Sequence, residues 1–401
     1  MRILLSDGSG LTSRQVATIL GRAGHRVEVL DSAGFALTHQ TRWVSRVHRA
    51  PPLGLDPFAW LRAATELLHK RHFDVLLPTQ EQVAVLARRP EAIPVALAVP
   101  DFAALQQVQD KISAAATLDR LGLPQPAGTV VTTRDDLLAV DRFPVFVKRP
   151  IGTASNGVRR VGDRTQLQAL AQELAAGGEL DDSVLVQQGA TGELFMIQSV
   201  FEHGRLVAWH ACRRSREGSK GGASSKVSDP RPEFGEQLGL LGAKLNWHGA
   251  LSADAILTDD GPLYIDINPR LVEPVNALRS GVNLVGALLD VSLAKNVPSQ
   301  NPGRPGVRTH QLLLALTHAA EHGRRSVARE LRHAATRTGP YRHSTEELTP
   351  MRGDPATALL IAAVAGTLLI SPKTSAIFTG GTVTSYALTP AAWRQLVVDQ
   401  P

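Results

Sequence analysis

Apolar and polar side chains alternate along Leu263-Tyr264-Ile265-Asp266-Ile267-Asn268. This period of two predicts a strand with Tyr264, Asp266 and Asn268 on one face and Leu263, Ile265 and Ile267 on the other. Residues 250–257 read as a second strand. Thr258-Asp259-Asp260-Gly261 between them is a hairpin turn, because Asp-Gly tolerates the positive φ that such turns need. The hairpin places Asp254 beside Asp266 and Asn268, while Asp259 and Asp260 are turn formers. Two carboxylates and an amide oxygen are hard ligands. They suit Mg²⁺ (or Mn²⁺) that keeps some waters and takes further oxygens from nucleotide phosphates.

Strand and helix signals also alternate through the first hundred residues: strands at 3–5, 26–30 and 74–78, helices at about 13–21 and 57–69. That order predicts an α/β domain of parallel strands with helices on both faces. Asp7-Gly8-Ser9-Gly10 after the first strand lacks a third glycine at dinucleotide spacing, so a tight turn is favoured over NAD binding. Residues 101–125 read as one helix, stopped by Gly122, Pro124 and Pro126. Phe143 to Pro150 is a strand ending in Lys148, followed by the small-residue loop 151–158, which includes Gly152, Ser155 and Gly157. A lysine at a strand end beside such a loop can grip phosphate: the ammonium supplies charge and backbone N–H groups close over the oxygens. A further strand over 183–188 leads into Gly189 to Ile197, and a Gly/Ser-rich basic segment follows over 209–226. Arg213, Arg214, Arg216, Lys220 and Lys226 lie there. Arg213 or Arg214, with Lys226, is expected to face a triphosphate or an acidic acceptor.

Composition narrows the partners. A chain of 401 residues holds two or three domains. Lys and Arg (43) exceed Asp and Glu (37) modestly and are spread along the chain, so phosphorylated or acidic small molecules are indicated and nucleic acid is not. The single cysteine, Cys212, excludes an internal disulfide and fits a reducing, cytoplasmic setting. The start of the chain is expected to be a strand rather than a signal peptide. The apolar run Ala356 to Ile370 is shorter than the ~20 residues that span a bilayer, so a buried helix and strand are expected there and no membrane anchor. His318-Ala-Ala-Glu321-His322 matches an inverted zinc-protease pattern but lacks an evident third ligand. No Gly-x-Ser-x-Gly elbow points to a serine hydrolase.

Asp110-Lys111, Leu121-Gly122-Leu123-Pro124-Gln125-Pro126, the Lys148 strand and its loop, the 183–197 segment, and Asp254 with Asp266-x-Asn268-x-Arg270 occur in this order. The series resembles the ATP-grasp ligases over about residues 1–295. The resemblance implies a Rossmann-like domain over 1–105, an α+β ATP-grasp domain over 106–300 with a lid subdomain at about 112–185, and a small C-terminal lobe over 301–401. It implies ATP and Mg²⁺ as cofactors, with Lys111, Lys148, Gly152, Ser155, Gly157, Val186, Gln188 and Glu193 around the nucleotide and Asp254, Asp266 and Asn268 on the metal. Gln188 departs from the acid often found at its position. The activity implied is ATP-dependent joining of a small carboxylate to an amine through an acylphosphate, with Lys148 and Arg270 catalytic. Bicarbonate use, as in biotin carboxylases, and a silent nucleotide-binding module are the alternatives. The C-terminal lobe is open to three uses: covering the site, forming a homodimer surface, or recognising substrate.

Overall fold

The computed structural model describes the chain apart from residues 154–156, 179, 181–182, 351–352, 376–382 and 399–401. Strands with no polar side must be covered on both faces, and the first hundred residues meet that need with helices. β1 (Arg2–Leu5), β2 (Arg26–Asp31), β3 (Val44–Arg49) and β4 (Val75–Leu77) form a parallel sheet in the order β3-β2-β1-β4. Ile3, Leu5, Val27 and Val75 pack with Val16 and Leu20 of the helix Leu11–Arg22. Leu4, Leu30 and Leu76 join Trp60 and Leu61 of the helix Pro57–Lys70 in a separate cluster. The turn after β1 is closed by Asp7, whose carboxylate accepts from Gly10 N at 2.7 Å, Ser9 Oγ at 2.7 Å and Ser13 Oγ at 2.9 Å. Burial, aided by Asp31, raises the Asp7 pKa to about 6. A pyrophosphate at this turn would meet that carboxylate, which supports the tight-turn reading.

The single helix expected over 101–125 is two, Phe102–Gln109 and Lys111–Arg120. Asp110 breaks them. Its backbone is extended, and its carboxylate caps the second helix by accepting from Ile112 N at 3.0 Å and Ser113 N at 2.8 Å.

β5 (Gly128–Val131), β6 (Val145–Lys148), β7 (Val158–Val161) and β8 (Val184–Gln188) form a small antiparallel sheet in the order β5-β8-β6-β7. Val145, Val147, Val184 and Val186 pack on one face against Leu167, Leu170 and Leu174 of the helix Arg164–Ala176. Alternation therefore sends Lys148, Leu185 and Gln187 to the other face.

The largest sheet holds β9 (Glu193–Glu202), β10 (Arg205–Glu217), β11 (Ala223–Ser228), β12 (Gly249–Thr258), β13 (Gly261–Asn268), β14 (Arg308–His310) and β15 (Ser344–Glu346). Its order is β13-β12-β9-β10-β11-β14-β15, and only the β14–β15 pair is parallel. One face carries Phe195, Ile197, Trp209, Ala211, Leu251, Ala253 and Ala255 into a core with Phe234 and Leu238 of the helix Pro232–Lys244. The other face begins apolar, with Val200, Ala208 and Ala250 packed among residues of the helix Leu284–Ser292. It then turns polar through Gln198, His210, Ser252 and Asp254. The segment 209–226, expected as a Gly/Ser-rich loop, is mostly the β10–β11 hairpin. Its turn at Ser219–Gly221 places Lys220 at φ 55°.

Residues from 301 onward are distributed over the earlier units. β14 and β15 extend the large sheet, and the helices Leu312–Glu321, Arg324–Thr336 and Pro355–Ile370 share a small core of Leu316, Val327, Ile361, Val364 and Leu368. The apolar run expected as a helix and a strand is this one helix, Pro355–Ile370, with Leu359 and Ile370 exposed. Leu388, Ala392 and Leu396 return to the core of the first domain, where Trp393 meets Phe102 with ring centroids 5.7 Å apart. Among the described residues no helix is long and apolar enough to cross a membrane.

Candidate functional site

The site is built where β13 departs from simple alternation. Asp254 pairs with Asp266 but Ala255 pairs with Tyr264, so Ile265 is an unopposed bulge residue. The bulge reverses the parity of what precedes it. Tyr264 joins Ile267 in the apolar core, opposite to the face expected for it, while Asp254, Asp266 and Asn268 keep the other face. The bulge also frees the Ile265 carbonyl, which accepts from Lys148 Nζ at 2.6 Å.

Lys111 reaches the same place from the capped helix start. Its Nζ lies 3.2 Å from Asp266 Oδ1 and 3.4 Å from the Gly152 carbonyl. Asn268 Nδ2 stands 3.5 Å from Asp266 Oδ2. Thus Lys111, Lys148, Gly152, Asp254, Asp266 and Asn268 converge from three segments of chain. Burial, with the neighbouring Asp266 charge, raises the Asp254 pKa to about 7. A buried Asp254 carboxyl that resists ionising, set opposite a second carboxylate, is a place for a cation, and Lys111 supplies one partner already. Among the described residues no three His, Cys, Asp or Glu side chains gather to hold a metal by themselves. Two carboxylates and an amide therefore fit a divalent ion that completes its shell with substrate oxygens.

Behind these residues runs a narrow slot between the small sheet, the helix Lys111–Arg120 and β13, with a free volume of about 10 Å³. Leu118, Gln125, Leu185, Gln187 and Tyr264 line it, and the Lys148 and Lys111 contacts draw its mouth together. Gln187 Oε1 and the Tyr264 hydroxyl are buried with no hydrogen-bond partner among the described residues.

Val186, Gln188, Glu193 and Gly157, expected around the nucleotide, are not among the residues that line the slot. The Val186 side chain lies in the core of the small sheet, and Gln188 N is taken by the Ala127 carbonyl at 2.8 Å, so Gln187 is the glutamine facing the slot. Glu193 is exposed and pairs with Arg213 at 2.9 Å. Gly157 has φ 85° and accepts from Arg149 N, closing the loop after β6. Ser155 lies outside the described residues. Arg270 is largely buried; its Nε donates to Glu81 Oε1 at 3.1 Å, and among the described residues its two terminal nitrogens have no hydrogen-bond partner.

The basic segment also departs from expectation. Lys226 faces no open site: its ammonium is buried between Glu273 and Glu347, the latter at 2.7 Å. Arg214 donates to the Gly221 carbonyl at 2.7 Å and pairs with Glu217, and Arg216 pairs with Glu330. Hairpin geometry and local carboxylates account for these cations. Sequence reasoning missed Gln187, Tyr264 and Glu81. Parity against Val184 and Val186 could have found Gln187, but nothing local marks Glu81.

Residues 108–274 match the family model described as an ATP-grasp domain. The chain carries an ATP-grasp domain. Among curated proteins, the carbamoyl phosphate synthase large chain of Vibrio vulnificus (strain CMCP6) is 25% identical over 206 residues, covering 47% of this chain and 19% of that one. The large chain from Deinococcus radiodurans is 26% identical over 199 residues, covering 45% and 19%. The chain thus spans about a fifth of the length of the curated relatives it matches. Solved structures extend the likeness beyond the ATP-grasp domain. The ADP complex of N5-carboxyaminoimidazole ribonucleotide synthetase superimposes with a TM-score of 0.64 at 13% identity, over 83% of this chain and 85% of that one. For biotin carboxylase from Campylobacter jejuni the TM-score is 0.61 at 16% identity, over 77% and 74%. An L-amino acid ligase from Bacillus licheniformis gives 0.56 at 18%, over 73% and 74%. At these identities the likeness is one of fold, an ATP-grasp domain preceded by a parallel α/β unit.

Proposed function

We propose that the protein is an ATP-dependent carboxylate–amine ligase that forms an acylphosphate and releases ADP and phosphate. The observation that carries this reading is the convergence of Lys111, Lys148, Asp254, Asp266 and Asn268 at the mouth of one slot inside the ATP-grasp domain. Gln187 and Tyr264 offer unpartnered polar atoms within the slot, suited to a purine. The slot is too narrow for adenine as it stands. The small sheet is proposed to swing away from β13 as Lys148 exchanges the Ile265 carbonyl, and Lys111 exchanges Asp266, for phosphate oxygens.

Phosphoryl transfer asks the protein for position and charge more than for covalent chemistry. Asp254, Asp266 and Asn268 would hold Mg²⁺, which supplies charge neutralisation at the β- and γ-phosphates. Lys148 and Lys111 orient the phosphates for in-line attack by a substrate carboxylate. Glu81 fixes Arg270 through Nε, which leaves the planar pair of terminal nitrogens to bind that carboxylate in two places. The amine then displaces phosphate. Small carboxylates and amines are the proposed partners, in a cytoplasmic setting.

Coupled ADP release with Mg-ATP and pools of amino acids and small carboxylic acids tests the reading. Pool-dependent ADP together with a new condensation mass is expected. No nucleotide binding would sink it. Bicarbonate belongs in the pools, because a biotin carboxylase is among the similar structures. Arg270→Ala is expected to remove product formation while nucleotide binding persists.

A further inference from the structure

The turn between the helices Leu312–Glu321 and Arg324–Thr336 opens a cleft of about 450 Å³ that the proposed reaction does not use. Gly323, at φ 91°, reverses the chain there. His318 and His322, one helical turn apart with ring centroids separated by 5.1 Å, line it from one side. Ser326, Arg329, Glu330 and His333 line it from the other, and their spacing of three, one and three residues puts them on one helix face. Arg216 of β10 completes the polar wall, and the apolar lining is confined to Ala319 and Pro340.

Five of these side chains are basic and one is acidic, and the acid is already spent. Glu330 is 6% exposed; it accepts from both terminal nitrogens of Arg216, at 2.5 and 2.6 Å, and from the Tyr341 hydroxyl. Glu321, the acid of the His318-x-x-Glu321-His322 pattern, accepts from Ser219 Oγ at 2.9 Å. Its other oxygen stands 3.2 Å from His318 Nδ1 without the geometry of a hydrogen bond.

What is left over is a set of donors. Arg329 meets Ser326 Oγ at 3.4 Å and has no carboxylate within ion-pair reach among the described residues. His322 Nδ1 donates to the His318 carbonyl at 3.2 Å, and His333 Nδ1 is bonded to Thr338 Oγ1 at 3.0 Å. Each ring therefore keeps Nε2 for the cleft, where its imidazolium form donates. The second helix begins with Arg324 and Arg325, without an acidic residue in its first turn and without a side-chain cap. Two arginines at that end oppose the helix dipole, and an anion beside Ser326 of the same turn would offset them.

The cleft is separate from the nucleotide slot. Cys212 of β10 lies opposite Met196 of β9, which lies opposite Asp254 of β12. Arg216 is four residues further along β10, so at about 3.3 Å per residue and about 4.8 Å per strand it stands roughly 16 Å from Asp254.

We infer that this cleft is a second binding site, for a small phosphate ester: Arg329, His322 and His333 take the phosphoryl oxygens, and the rest of the molecule lies along the polar wall. A guanidinium fork matches two phosphoryl oxygens, and charged donors make the strongest hydrogen bonds to them. Inorganic phosphate would leave most of 450 Å³ empty, and a lining with so little apolar surface suits a body that is itself polar. Binding there breaks and forms no covalent bond. The site stands apart from the ligase reading, and its test needs no turnover.

Calorimetric titration of the full chain with glycerol 3-phosphate, ribose 5-phosphate, inorganic phosphate and citrate, at about 0.15 M ionic strength, tests the site. At least one ester is expected to bind with a Kd below about 1 mM, more tightly than phosphate or citrate. Arg329→Gln should weaken that ester by about tenfold or more, the worth of one charge-assisted hydrogen bond. His322→Gln should weaken it as well; both side chains are exposed, so neither change threatens the fold. Lys148→Met, which disarms the nucleotide slot, should leave the affinity unchanged. Failure of both esters to bind would overturn the site, as would binding that survives Arg329→Gln and His322→Gln. Binding that is lost in Lys148→Met would return the ester to the nucleotide slot. Inorganic phosphate or citrate held as tightly as the esters would reduce the cleft to a basic surface and overturn the inference.

Discussion

Two lysines are buried in this protein, and their surroundings push them in opposite directions. Lys148 sits at the end of β6 with a backbone carbonyl for a partner and Lys111 nearby; burial lowers its pKa to about 8. Lys226 is buried as deeply, which alone would lower its pKa, but Glu273 and Glu347 outweigh that and hold it well above the ordinary lysine value. One ammonium has no carboxylate in contact, with Asp266 and Asp254 acting on it only from a distance, and the other is bonded to two. A cation that folding leaves without a bonded carboxylate is the one available to a phosphate, whereas a cation that folding has saturated is structural cement. The sequence offered both, Lys148 from its strand end and small-residue loop and Lys226 from the density of Arg and Lys around it, and their surroundings leave only Lys148 open to an anion.

The largest effect expected from testing that contrast is on Lys226. Lys226→Met strands two carboxylates in the interior and should cost about 3–5 kcal/mol in urea unfolding, with most of it recovered when Glu273→Gln and Glu347→Gln are added. Equal stability of the single variant and the parent would remove the contrast. Lys148→Ala should lower the ADP-forming rate by about 10²–10³-fold, the loss typical of a single charge-stabilising donor, while the melting temperature holds or rises. A collapse in stability alongside activity would make Lys148 structural too.

The pH dependence of stability separates the pair by sign. The folded-state pKa of Lys148, about 8, lies below its unfolded value, so the unfolded chain binds the extra proton and this group disfavours folding at neutral pH. That penalty should fade by about 1.4 kcal/mol per pH unit between pH 8 and 10.5, seen as a narrowing gap between parent and Lys148→Met. Lys226 is raised, so its contribution is full below the unfolded lysine pKa and is lost only as pH climbs beyond it. The smallest effect belongs to Arg213, whose partner Glu193 is exposed: Arg213→Ala should shift stability by under about 1 kcal/mol and activity by less than about threefold.

Much of the site was legible because it is local. The period of two and the Asp-Gly turn placed Asp254 opposite Asp266 and beside Asn268, and the register agrees. Tyr264 was assigned to the wrong face because the bulge at Ile265 has no glycine or proline to announce it, and one unopposed residue inverts the parity of everything before it. Gln187 and Gln188 are identical in kind, and only their phase against the valines of β8 tells them apart. The Asp110 break was hidden in a continuous helical pattern, although aspartate is a capping residue. Glu81 with Arg270, and Glu347 with Lys226, join residues 189 and 121 positions apart. Such pairings follow from how the sheets are stacked, and no short-range pattern encodes them.

The distance between Lys226 and Glu347 has a consequence in time. A ribosome adds roughly 5–20 residues each second, so Lys226 emerges roughly 6–24 s before the carboxylate 121 residues later that completes its burial. Within that interval Glu273 follows Lys226 by 47 residues and Gln311, just past β14, by 85, and β15 with Glu347 comes last of the elements on this edge. The nascent large sheet therefore waits with an open edge and an incompletely neutralised lysine, and residues 308–347 act as the clasp that closes it.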